Sequence, residues 1–95
     1  MEIQEAYKQK MAAQLKEWTA QIKLLEAKVE SAGADMKLKR AQALQELHAQ
    51  QRAASEKMLE LGKASGDAWE QLRNTADKIW ADLKTGISDA QSKFK

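Results

Sequence analysis

From Met11 the apolar positions recur at Leu15, Trp18, Ile22, Leu25, Val29, Ala32 and Met36, in steps of 4, 3, 4, 3, 4, 3 and 4. Alternating threes and fours keep one stripe on one side of a helix, as the a and d positions of a heptad do. Tyr7 and Ile3 extend the stripe upstream by steps of four. A second stripe follows at Leu44, Leu47, Gln51, Ala54, Met58, Leu61, Ser65, Ala68 and Leu72. It lies one residue out of phase with the first, a rotation of about 100° on a helix. The segment SAGAD (31–35) separates the two. A reverse turn there explains the shift, and so does a skip within one continuous helix. In the turn reading Gly33 ends the first helix in the left-handed conformation and Ser31 or Asp35 caps the second.

LGKASGDAWE (61–70) breaks the pattern again, and Asp67 with Glu70 resembles a capping box. The pattern therefore predicts helices over 3–31, 35–62 and 67–93 within a single domain, 1–95. Pieces of near-equal length joined by short connections suit an antiparallel bundle.

The third piece repeats every eleven residues. Trp69 falls on Trp80, Leu72 on Leu83 and Phe94, Ala68 on Ile79 and Ala90, and Ala76 on Ile87. On a wheel these residues occupy an arc of about 120°. No charged residue from Asp67 to Lys95 falls inside that arc. An eleven-residue stripe runs nearly straight or slightly right-handed, so this helix is expected to pack differently from the other two. Gly86 weakens it by about 1 kcal/mol relative to alanine and predicts fraying or a bend near its end.

Composition agrees with long helices. There is no proline and no cysteine. Of the 41 apolar residues 17 are alanine, leaving 24 large ones, which is a thin core for one chain. The fold class expected is all-α: an antiparallel helical hairpin or three-helix coiled-coil bundle, completed by oligomerisation. The expected helix–helix or partner interface comprises Met11, Leu15, Trp18, Ile22 and Leu25, then Leu44, Leu47, Met58 and Leu61. The third piece adds Trp69, Leu72, Ile79, Trp80, Leu83 and Phe94. Gln51, a polar residue on a seam, is expected to fix register or partner number.

Little points to chemistry. His48 is the only histidine, and without cysteine the chain lacks the usual material for a metal site or a catalytic triad. No phosphate-binding glycine loop, zinc-protease motif or nucleophile elbow occurs. No enzymatic activity, cofactor, metal or small-molecule substrate is expected. Net charge is +2, and the densest cationic cluster, Lys37, Lys39 and Arg40, reads as a solvated face rather than a nucleic-acid site. The opening residues MEIQEAYKQK do not form a secretory signal and no apolar run is long enough to span a bilayer. A cytoplasmic location is therefore expected. A peripheral role on membrane surfaces through 67–94 is the alternative, since Trp69, Trp80 and Phe94 are residues suited to an interface. Five acids and five bases in 67–95 give it no net attraction to anionic lipid. An adaptor that binds another protein through an exposed helix face is a further alternative.

Two stretches, MAAQLKEWTAQIKLLEAKVESAGADMK (11–37) and SGDAWEQLRNTADKIWADLKTGISDAQSKF (65–94), resemble a family of small bacterial coiled-coil proteins described as stress-response or uncharacterised. The resemblance is most specific at Gln14–Trp18, Gly66–Leu72 and Trp80–Lys84. It implies an all-helical, non-enzymatic, stress-associated protein and carries over no catalytic residue. Relatives tend to read as continuous helix where this chain has Gly33.

Overall fold

The computed structural model describes residues 3–94. They form three helices, α1 (Ile3–Glu30), α2 (Ala34–Lys63) and α3 (Gly66–Lys93), with no strand among the described residues. Helices of 28, 30 and 28 residues are each about 42–45 Å long at 1.5 Å per residue. The molecule measures 50 × 20 × 18 Å, so the rods lie side by side. Cross-helix contacts give their directions. Thr19 meets Gln51 and Glu26 meets His48, so α2 runs antiparallel to α1. Tyr7 meets Asp77 and Met11 meets Trp80, so α3 runs parallel to α1. The fold is an all-α, up-down-up three-helix bundle.

The reversal at Gly33 is real, but its backbone differs from the expectation. Gly33 has φ −66° and ψ 162° and is the N-cap of α2, with its carbonyl accepting from Lys37 N at 2.8 Å. No residue among those described has a positive φ. Before the turn, Ala32 N bonds to Val29 O at 3.1 Å, which closes the end of α1 without a left-handed residue. Neither proposed cap forms. Ser31 Oγ donates backwards to the Lys28 carbonyl at 3.0 Å, and Asp35 lies inside the first turn of α2, where its charge suits the helix dipole.

At the second joint α2 continues through Gly62 to Lys63. Ala64 and Ser65 are extended and Ser65 is the N-cap of α3, without a side-chain cap hydrogen bond. The Asp67–Glu70 capping box is therefore not realised, because the helix begins two residues too early for Asp67 to cap it. α3 also runs unbroken through Gly86 to Lys93, and Phe94 N still bonds to Ala90 O at 2.9 Å. The expected fraying is absent because Ile87, Ala90 and Phe94 beyond Gly86 are all buried.

Burial follows heptads in all three helices. In α1 the buried Met11, Ile22, Leu25 and Val29 alternate with half-buried Leu15 and Trp18 on one stripe. In α2 Leu44, Leu47, Ala54 and Leu61 are buried, with Gln51 and Met58 half-buried between them. In α3 the buried residues are Trp69, Ala76, Trp80, Leu83, Ile87, Ala90 and Phe94, in steps of 7, 4, 3, 4, 3 and 4. All seven also lie on the eleven-residue repeat, but not every position of that repeat is core. Leu72 and Ile79 reach the core edge only, and Ala68 is exposed. A helix that fills the groove between two heptad helices must meet their knobs at their spacing, so the shared period selects among its apolar residues. The heptad position left open between Trp69 and Ala76 is Arg73, whose guanidinium lies 5.8 Å from the centre of the Tyr7 ring.

The stripe ends fall outside the core. Ile3 and Met36, assigned to the first seam, are exposed, as are Ser65 and Ala68 of the second. Each lies where its helix has run past its neighbours or has already turned.

Candidate functional site

The fifteen proposed interface residues meet one another inside a single chain. Met11, Ile22, Leu25, Leu44, Leu47, Leu61, Trp69, Trp80, Leu83 and Phe94 are buried, and Leu15, Trp18, Met58, Leu72 and Ile79 pack against them partly buried. The apolar stripe of 67–94 therefore faces α1 and α2. Its tryptophans are locked in place. Trp80 Nε1 donates to the Met11 carbonyl at 3.2 Å, an α3-to-α1 bond in the core. Trp69 meets Tyr7 edge-on, with centroids 5.3 Å apart and planes at 73°. Phe94 lies under Arg40, whose guanidinium carbon is 5.3 Å from the ring centre. For these three side chains to reach a lipid surface, α3 would have to leave the bundle.

Polar contacts tie the same helices at the rim. Tyr7 Oη donates to Asp77 Oδ1 at 2.6 Å and lies 3.3 Å from the Arg73 carbonyl. Partial burial, then the hydrogen bond to the Asp77 carboxylate and its negative charge, push the Tyr7 phenol up, while Arg73 opposes them. Gln51 Nε2 donates to Thr19 Oγ1 at 2.8 Å, and Thr19 Oγ1 in turn donates to the Leu15 carbonyl at 2.8 Å. The seam glutamine thus joins α1 to α2 within one chain. His48 Nε2 lies 2.6 Å from Glu26 Oε1, both side chains nearly half exposed. His48 has this one acidic partner, and no group of three or more His, Cys, Asp or Glu among the described residues is placed to hold a metal. No helix among them is long and apolar enough to cross a membrane.

The surface that reasoning from the seams missed lies between α1 and α2, on the side away from α3. It is an open groove of about 680 Å³ lined by Ala12, Leu15, Lys16, Thr19, Ala20 and Lys23 of α1 and Ser55, Met58 and Leu59 of α2. Small residues at 12, 20 and 55 make it concave. Leu59 stands at its edge, 66% exposed. Away from the groove Leu24 and Leu38 are exposed to a similar degree. The exposed leucines, though not the groove, had a signal in the sequence: these three are the ones that fit neither heptad stripe. Comparison with protein-family models, curated proteins and solved structures finds no match to this chain.

Proposed function

We propose that this chain is a non-enzymatic, self-associating coiled-coil protein whose role is structural or in assembly. The observation that carries this reading is the apolar surface left over after the core has closed. Leu24 and Leu38, which lie on neither seam, are 66% and 69% exposed. Large aliphatic side chains off the seams add nothing to this chain's own core, and association with further copies would cover them. An association with bacterial stress follows from the resemblance of 11–37 and 65–94 to that family and forms part of the same proposal.

The test is light scattering over a concentration series with the intact chain. A mass rising above 10.7 kDa in discrete multiples is expected. Leu24→Lys together with Leu38→Lys should return it toward the monomer without lowering helix content. A monomer that keeps a cooperative unfolding transition at every concentration would overturn the reading.

A further inference from the structure

We propose that the α1/α2 groove is a docking site for an acid-flanked amphipathic helix of a partner protein. This goes beyond self-association. The floor is apolar, from Leu15 and Met58 with Leu59 at the edge, and the α1 rim is cationic. Lys16 and Lys23 line the α1 side seven residues apart, which places them about 10.5 Å apart along one helix face. Arg52 stands on the α2 side. It lies one heptad before Leu59 on the same helix face and lines, with His48, Gln51 and Ser55, the shallow depression that adjoins the groove at Ser55. Lys16, Lys23 and Arg52 are in no ion pair among the described residues. Acids near the two ends of the groove are already engaged, Glu5 with Lys8 and Glu26 with His48. Glu56 lies about 100° further round α2 than Ser55, turned away from the floor.

An apolar trough rimmed by Lys16 and Lys23, with Arg52 beside it, selects its occupant by charge. A second copy presenting the same face would bring the cations against each other. A helix with apolar residues every three or four positions and carboxylates on both flanks would fill the floor, pair with Lys16, Lys23 and Arg52, and turn three helices into four. The groove spans Ala12 to Lys23, about three helical turns.

Two synthetic 21-residue helices test this, each with leucine at the a and d positions of its heptads. One carries glutamate at e and g, the other lysine. Binding to the intact protein is read by anisotropy of the labelled peptide, at low salt and at about 0.5 M salt. The glutamate helix should bind, with affinity falling as salt rises, and the lysine helix should not. Lys16→Glu with Lys23→Glu should weaken the glutamate helix about tenfold or more. Lys16→Ala with Lys23→Ala should weaken it less and serves if the double reversal unfolds by circular dichroism. Leu24→Lys with Leu38→Lys should leave peptide binding unchanged, which separates this site from self-association. Equal binding of both peptides, no binding of either, or indifference to the lysine variants would overturn the proposal. So would lysine-dependent binding to phosphatidylglycerol vesicles without binding to the glutamate helix, which would assign the groove to a lipid surface.

Discussion

Replacing Gly86 by alanine tests how closely α2 and α3 are matched. On helix propensity alone the substitution should stabilise α3 by about 1 kcal/mol. In the structure a Cβ at position 86 would sit 2.6 Å from Gln50 Oε1 and 3.1 Å from Leu47 Cδ2. The Gln50 amide must move, and since its Oε1 has no hydrogen-bond partner it forfeits no bond by doing so. Leu47 is 3% exposed and has little freedom to yield. Overpacking of this kind costs about 1–3 kcal/mol, which outweighs the propensity gain and leaves a net loss of about 1 kcal/mol. For a domain of this size that lowers Tm by about 4–8 °C. In a Gln50→Ala background the closest contact disappears and Leu47 can shift into the vacated space. Gly86→Ala should then be neutral or stabilising by a few tenths of a kcal/mol. The four proteins of the cycle, unfolded in urea and followed by circular dichroism, should show a coupling of about 1 kcal/mol or more. A full stabilisation by Gly86→Ala in the native background, with no coupling to position 50, would refute the reasoning.

Leu83 is 0% exposed in the middle of α3, so Leu83→Ala should cost about 2–5 kcal/mol in urea unfolding, whereas Leu24→Ala should fall within about 0.5 kcal/mol of the parent. Trp80→Phe removes the donor to the Met11 carbonyl from a buried site and should cost about 1–3 kcal/mol, more than Trp18→Phe at its half-buried position. Tyr7 is the only tyrosine, so absorbance at 295 nm reads its ionisation alone, and in the folded protein it should titrate above the ordinary value of about 10. Because the folded state holds this proton more tightly than the unfolded chain, the associated stability is complete below about pH 10 and is lost as pH rises from there toward the folded value. Subtracting the Tyr7→Phe profile isolates that slope, and a Tyr7 that titrates at or below 10 would contradict the Asp77 contact.

The helices and their boundaries were legible because two signals agreed. Apolar spacing marked the rods, and glycine with serine marked the joints at 31–35 and 61–70. What eluded sequence reasoning was finer. The left-handed reading of Gly33 failed because glycine permits several conformations, and the neighbouring helices selected the extended one. The capping box failed because Asp67 and Glu70 have the right spacing two positions too late, the N-cap being Ser65. The groove escaped because alanine, serine and lysine carry no periodic signal, and it exists only where two helices stand side by side.

Period and composition alone made this chain helical, since heptad stripes without proline leave no competing local structure, while the phase shift at 31–35 fitted either a turn or a skip and only the packed structure made it a turn. Which apolar residues of α3 count as core could not be read from α3. Its eleven-residue repeat and its heptad overlap along most of the helix, and contact with α1 and α2 is what favours one over the other. The free surface was likewise settled by assembly, because Leu59 becomes an exposed edge only once Leu15 and Met58 have turned toward the interior beside it.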